Sequence, residues 1–240
     1  MQKEIKDLEV YCNKYKMKIN SKKTKAMLFN SRIKSDFQPK LFLQDGSSIE
    51  VVEEIKLLGI LITSDLKWKK NTKNIIRKAY KRMWMVKRLK SMGANKEELK
   101  LAYIQQVRCV LEIAVPAWNS GLTISEKLDI ERVQRSFCHI IYGKDYSSYS
   151  VALSSLGLDT LEIRRTMLCR TFAIKSSKDK KFNKWFKPND NGKNTRIKKS
   201  KFKKVHTRTK RFNKSAIPYL TKLLNEEWKI NEHMPPDWKT

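Results

Sequence analysis

Two hydrophobic periods alternate along this chain. In residues 1–19, Ile5, Leu8, Tyr11, Cys12 and Tyr15 recur at three- and four-residue spacing, which predicts a helix with one apolar face. Asn20-Ser21 breaks that pattern, and Lys23 to Phe29 predicts a strand. Leu41-Phe42-Leu43 and Ile49-Val51-Val52 flank Asp45-Gly46, a strong turn dipeptide, and predict a hairpin. Ile55 to Ile62 is short and rich in β-branched and aliphatic residues. It predicts a buried strand, with Gly59 marking a bulge or a close backbone approach. Ser64-Asp65 then offers a helix start.

From Trp68 the period becomes helical. Ile75, Ile76, Ala79, Met83, Val86 and Lys90 fall along one side; Lys70, Arg77, Lys81 and Arg88 fall along another, with Lys73, Lys78 and Arg82 nearby. Gly93 stops this helix. Asn95 with Glu98 predicts the next start, and Leu99, Ala102, Tyr103, Val107, Val110 and Leu111 carry its apolar face toward Pro116. Thr123 with Glu126 opens another, closed by Gly143. A short helix around Tyr149–Leu156 ends at Gly157, and Asp159 with Glu162 starts a last one. A further helix begins near Ser215 and stops at His233-Met234-Pro235-Pro236.

These elements predict an α+β fold: a small N-terminal α/β piece with a β-hairpin over 1–66, then a mainly helical bundle over 67–178. Residues 179–214 form a basic segment expected to be poorly ordered, and 215–240 a C-terminal helix packed on the bundle. The helix of 1–19 has an apolar face with nothing else in its own segment to cover it.

Charge adds a partner. The formal net charge is +29 over 240 residues, an excess that repels itself and calls for an anionic partner, most often nucleic acid. A compositional lysine bias is the plainer account, but the cations cluster on predicted faces. Phe182, Trp185, Phe186 and Phe202 are interleaved with lysines, which fits either base stacking or a linker whose aromatics dock on the helices. Lys198, Lys199, Lys203 and Lys204 also read as a nuclear localisation signal, so nucleus and cytoplasm are the expected compartments. Cys12, Cys109, Cys138 and Cys169 are far apart and predict free thiols, not zinc ligands or disulfides. His139, His206 and His233 lack facial-triad spacing. The charged start predicts no secretory signal, and no apolar run is long enough to span a membrane.

Several ordered motifs resemble the reverse transcriptases of non-LTR (LINE-type) retrotransposons. Ile55-Lys56-Leu57-Leu58-Gly59-Ile60, then Asp65-Leu66, Trp68, and a helix with Ile75, Lys78-Ala79 and Met83 resembles that family's primer-grip hairpin and first thumb helix. Upstream, Ile19-Asn20, Lys23-Thr24, Met27 and Phe29 resemble a palm motif. Downstream, Leu111-Glu112, Trp118, Leu128, Glu131, Gln134-Arg135 and Leu156-Gly157-Leu158 through Thr160-Leu161-Glu162 and Arg164-Arg165 resemble the thumb and the segment after it. Ser215 and Ile217-Pro218 resemble a closing element.

The resemblance implies a C-terminal part of an RNA-directed DNA polymerase: a palm edge plus a thumb-like bundle that grips a template–primer duplex of RNA and DNA. Lys56, Gly59, Lys69, Lys70, Lys73, Arg77, Lys81, Arg88, Lys198, Lys199, Lys203 and Lys204 are the candidate nucleic-acid contacts. Lys23 is a weak catalytic candidate, a general acid for departing pyrophosphate; a solvated turn lysine is the favoured account of it. For Gln134, Arg135, Arg164 and Arg165 the favoured roles are interhelix bonds and ion pairs with carboxylates such as Glu131 and Glu162. The family's metal-binding aspartates have no counterpart: no Asp-Asp pair exists, and Asp7, Asp36, Asp45 and Asp65 are scattered. Hence fingers and catalytic palm are expected upstream, the isolated chain is expected to be inactive, and magnesium is expected only in the full-length polymerase. The alternative is a stand-alone basic RNA- or DNA-binding or scaffold protein derived from such an element.

Overall fold

The computed structural model describes residues 1–29, 40–182, 184–189 and 201–233. The fold is α+β: mostly helical, with two small two-stranded sheets. The chain divides into two compact units, Met1–Asn71 and Thr72–Thr240.

In the first unit, α1 (Gln2–Lys14) stops short of the expected residue 19. Lys16 takes a φ of +55°, and the Met17 N–H turns back to the Cys12 carbonyl at 2.9 Å, closing the helix. Ile5 on α1 packs with Ile19 and Ala26 against a small core of Leu41, Leu43 and Ile49. Polar bonds fasten the Leu41–Ile49 segment to α1: Gln2 Nε2 donates to the Phe42 carbonyl at 2.7 Å, and the Gln44 N–H to Glu9 Oε1 at 2.7 Å. That segment turns at Asp45-Gly46 as expected, with the Leu43 N–H on the Ser47 carbonyl and the Ile49 N–H on the Leu41 carbonyl. The strand expected over Lys23–Phe29 is regular only as β1 (Lys25–Ala26), paired in parallel with β2 (Glu50–Val51). The remaining apolar face of α1 is open: Leu8, Tyr11 and Tyr15 are each more than half exposed.

The single strand expected over Ile55–Ile62 is a hairpin instead. β3 (Glu54–Leu57) pairs antiparallel with β4 (Ile60–Thr63), Ile55 opposite Ile62 and Leu57 opposite Ile60. Leu58 and Gly59 form the turn with φ values of +47° and +90°. Positive φ at both central residues matches the right-handed twist of the flanking strands, so Gly59 serves a reversal and not a bulge. Leu58 accepts a left-handed conformation unusual for its type and is 90% exposed at the tip.

Ser64-Asp65 does not start the next helix. Asp65 Oδ1 accepts from the Thr63 hydroxyl at 2.7 Å and from the Lys67 N–H at 3.0 Å, bonds that hold its pKa down to about 2. Helix α2 begins later, at Lys69, and runs to Ser91. Buried Asn71 accepts the Leu61 N–H at 3.1 Å and so ties β4 to the first turn of α2.

The second unit is helical. Ile75, Ala79, Met83 and Val86 of α2 are 3% exposed or less, the stripe the spacing predicts. Capping boxes at Asn95/Glu98 and Thr123/Glu126 open α3 (Lys96–Ala102) and α6 (Ile124–Tyr142) as expected. The helix expected to run on from α3 toward Pro116 is interrupted. It passes through a π-helical stretch (Tyr103–Arg108), continues as α4 (Cys109–Glu112), breaks at Ala114 with φ +48°, and resumes as α5 (Val115–Trp118). α7 (Tyr149–Leu156) ends where Gly157 takes φ +59°, a conformation that carries a Cβ penalty in any other residue. The cap of α8 (Leu161–Lys178) is Thr160, whose side chain accepts the Ile163 N–H; Asp159 lies outside the helix.

The basic segment after α8 is more ordered, at its described ends, than its composition predicts. Phe186 and Phe202 are buried and meet edge-on at 6.1 Å between ring centroids. Pro188 bridges to Phe202, and buried Asn225 bonds both the N–H and the carbonyl of Phe202. Two of its aromatics therefore dock on the helices. A short α9 (Lys210–Asn213) precedes α10 (Ala216–His233), which buries Leu220, Leu223 and Leu224 and packs on α8.

All four cysteines are free. Cys138 and Cys169 are fully buried, and burial pushes both thiols up to about 11. Since the thiolate is the reacting form, alkylation of the native protein at pH 8 is expected to label these two more than about tenfold slower than the half-buried Cys12 and Cys109. Peptide mass mapping checks this; equal rates at all four would contradict the burial.

Candidate nucleic-acid interface

Helix α2 carries ten Lys and Arg and no carboxylate in its 23 residues. One side is fixed by burial of Ile75, Ala79, Met83 and Val86. The helical period then places Lys73, Arg77, Lys81 and Arg88 together on the opposite, exposed side. Trp84, 69% exposed, lies at the centre of that stripe, and Tyr80, 43% exposed, at its edge. None of Lys73, Arg77, Lys81 and Arg88 has a carboxylate partner among the described residues; Arg77 reaches only Asn74 Oδ1 at 3.5 Å.

The other cations of α2 that sit toward its neighbours are used up in packing. Arg82 donates to the Gln106 carbonyl at 3.0 Å, beside the π-helical stretch. Lys90 Nζ bonds the Ile140 and Ile141 carbonyls, the second at 3.0 Å, and so neutralises the negative end of α6. The sequence groups Lys90 with the apolar side; its aliphatic stem follows that side while its ammonium caps a neighbouring helix. The Tyr80 hydroxyl lies 3.3 Å from Ser136 Oγ of α6.

An array of like charges costs stability. Lys73, Arg77 and Lys81 follow at four-residue intervals, where each like-charged pair destabilises a helix by roughly 0.2–0.5 kcal/mol. Lys73 to Arg88 spans about 22 Å of helix axis at about 1.5 Å per residue; the first three cations stand about 6 Å apart along it and Arg88 about 10 Å beyond Lys81.

In the first unit, Lys56 and Lys69 are exposed on β3 and at the start of α2, and Gly59 is in the hairpin turn. Lys70 is also exposed but paired with Glu54 at 2.5 Å, which raises its pKa. Lys23 is exposed in a turn led by Asn20, whose side chain accepts the Lys23 N–H at 3.1 Å. That geometry is the solvated turn lysine the sequence favours. Lys203 and Lys204 are exposed beyond the Pro188–Phe202 bridge; Lys198 and Lys199 lie outside the described residues.

The motif residues of the helical unit form a buried network. Gln134, fully buried, accepts the Tyr103 hydroxyl at 2.8 Å and donates to the Tyr149 hydroxyl at 3.1 Å and the Asp159 carbonyl at 2.9 Å. Tyr149 donates to Glu131, which also accepts the Leu161 N–H at 3.0 Å. Burial and the Glu131 carboxylate both raise the Tyr149 pKa. Arg135 lies 5.0 Å from the Tyr149 ring centroid. The arginine partners differ from those the sequence suggests: Arg164 pairs with Glu112 at 2.9 Å, and Arg165, 1% exposed, donates to Asn119 Oδ1 at 3.1 Å. Glu162 pairs with Lys127. Most of these residues bond across helices, but Arg135 is exposed, and Glu131 Oε2 and both Arg165 Nη atoms are buried without a hydrogen-bond partner among the described residues.

No three His, Cys, Asp or Glu side chains converge among the described residues. Asp45 is engaged by Ser47 and Asp65 by Thr63 and Lys67, while Asp36 lies outside the described residues. No described helix is long and apolar enough to cross a membrane. Compared with protein-family models, curated proteins and solved structures, the chain matches none of them.

Proposed function

We propose that this chain is the nucleic-acid-gripping C-terminal part of a non-LTR retrotransposon reverse transcriptase, with β3–β4 as the primer grip and the helical unit as a thumb-like bundle. The observation that carries the reading is the stripe of Lys73, Arg77, Lys81 and Arg88: exposed, without carboxylate partners among the described residues, and maintained against its own repulsion. Phosphates are the chemistry that relieves such a stripe. The Leu58-Gly59 tip, exposed and left-handed, supports a grip on a primer strand, because backbone held in a sparsely populated conformation gathers at binding sites. The open face of α1 supports further protein packed against it. In this reading nucleotidyl transfer belongs to aspartates that these residues do not include, and this chain's part is to hold the duplex in register.

The test is the salt dependence of binding to an RNA–DNA hybrid duplex, read by anisotropy. Wild-type affinity is expected to fall steeply with salt. Arg77→Glu with Lys81→Glu is expected to weaken binding by tenfold or more and to flatten the log–log slope by about 2. Salt-independent affinity, or a double variant indistinguishable from wild type, would overturn the proposal. So would template-directed primer extension by the isolated chain with magnesium.

A further inference from the structure

We infer that the α2 stripe, besides holding a duplex by its phosphates, also receives a strand with unpaired bases, one of which stacks on Trp84. This rests on the reading that the stripe binds nucleic acid and goes beyond it, because a duplex needs no aromatic platform there. Trp84 follows Arg77 by seven residues and precedes Arg88 by four, so the three share one line along the helix, with Lys81 one turn before Trp84. The indole is 69% exposed.

A single exposed apolar side chain is ordinary. Trp84 differs in its surroundings. Cations stand on both sides of it along the axis, and a second aromatic, Tyr80, stands one turn away with its ring half open and its hydroxyl near Ser136. Cation and aromatic interleaved along one exposed line are the elements a single strand needs: phosphates meet the cations, and the bases are free to turn onto the rings. In a duplex the base faces cover each other, and an indole reaches one only at an end. The burial of Phe186 and Phe202 sharpens the assignment. Of the aromatics mixed with lysines in this sequence, those two are committed to packing, whereas Trp84 is not.

The experiment compares a 12-nucleotide single-stranded RNA, a duplex of the same sequence, and an abasic strand of equal length, each titrated with wild type, Trp84→Ala, Trp84→Phe and the Arg77→Glu/Lys81→Glu double variant of the full chain. Trp84→Ala is expected to weaken single-strand binding by about tenfold, duplex binding by less than about twofold, and abasic binding not at all; Trp84→Phe is expected to retain most of the affinity. Trp84 emission, taken as the difference between wild type and Trp84→Phe, is expected to be quenched by the single strand and unchanged by the duplex. If Trp84→Ala affects all three probes equally or none, while the charge reversals weaken them, the stacking inference is wrong and the duplex reading stands. If the charge reversals weaken none, both fall. Circular dichroism of Trp84→Ala keeps the comparison honest about folding, and an exposed site predicts an unchanged spectrum.

Discussion

Trp118→Ala is expected to cost the helical unit about 3–5 kcal/mol, the range for truncating a fully buried aromatic. Trp118 is entirely buried, and its indole N–H donates to the Ile113 carbonyl at 2.9 Å. That carbonyl lies at the break between α4 and α5, where Ala114 takes a left-handed φ and no helical N–H is placed to satisfy it. α5 is four residues long, too short to persist alone, and it packs against both α8 and α10. Truncation therefore empties a large volume and orphans a carbonyl in the same place. Against a typical domain stability of about 5–15 kcal/mol, this removes a large share. Urea denaturation checks it: the midpoint falls with an unchanged slope. Trp118→Phe keeps most of the volume, loses only the bond, and is expected to lose about half as much or less. A loss below about 1 kcal/mol for Trp118→Ala would show that α5 is not an anchor of the unit.

Gln134→Leu is expected to cost about 2–5 kcal/mol. The side chain is close in size, so the loss is not a cavity. It comes from removing three bonds at once in a fully buried place, leaving the Tyr103 hydroxyl and the Asp159 carbonyl unpaired, at roughly 1–3 kcal/mol for each orphaned group. Gln134→Glu adds a sharper test. One carboxyl oxygen can still accept from Tyr103, but the other now faces the Tyr149 hydroxyl and the Asp159 carbonyl, where a donor is required. Protonation restores one of the two lost donors, so the folded state raises the carboxyl pKa. A raised pKa gives stability that is full below the unfolded value and lost as pH rises through the folded one. Gln134→Glu is therefore expected to lie closest to wild-type stability near pH 4, short of it by one bond, and to fall away toward pH 8. A pH-independent difference between the two proteins would mean that the amide does not donate in the native state.

The candidate site is partly legible in the sequence. A line of Lys70, Arg77, Lys81 and Arg88, with Lys73 nearby, follows from period alone, because α2 is long and its apolar stripe fixes which side faces water. Trp84 does not stand out in the sequence, because indole counts as apolar in a hydrophobic pattern. Its seven-residue spacing from Arg77 was the signal that places it among the cations. Lys70 and Lys73 look alike in sequence; only one has a carboxylate beside it, since Glu54 comes from a strand sixteen residues earlier. In the same way Arg164 and Arg165 read as partners of Glu131 and Glu162. Their actual neighbours, Glu112 and Asn119, come from segments fifty-two and forty-six residues away.

By itself the sequence determined whatever depends on neighbours within a turn or two. The capping boxes at Asn95 and Thr123, the glycine stops and the buried stripe of α2 are set by local backbone chemistry and by the burial of one face. Tertiary structure decided what the hydrophobic pattern left open, that Ile55–Ile62 folds back on itself, because a run of aliphatic residues suits one buried strand or two paired ones equally until the turn conformation is fixed. It also decided that the helix before Pro116 breaks at Ala114, where the anchoring of Trp118 outweighs local propensity, and that Phe186 and Phe202 leave water. Burial is a property of what the rest of the chain brings alongside, and no window of residues contains it.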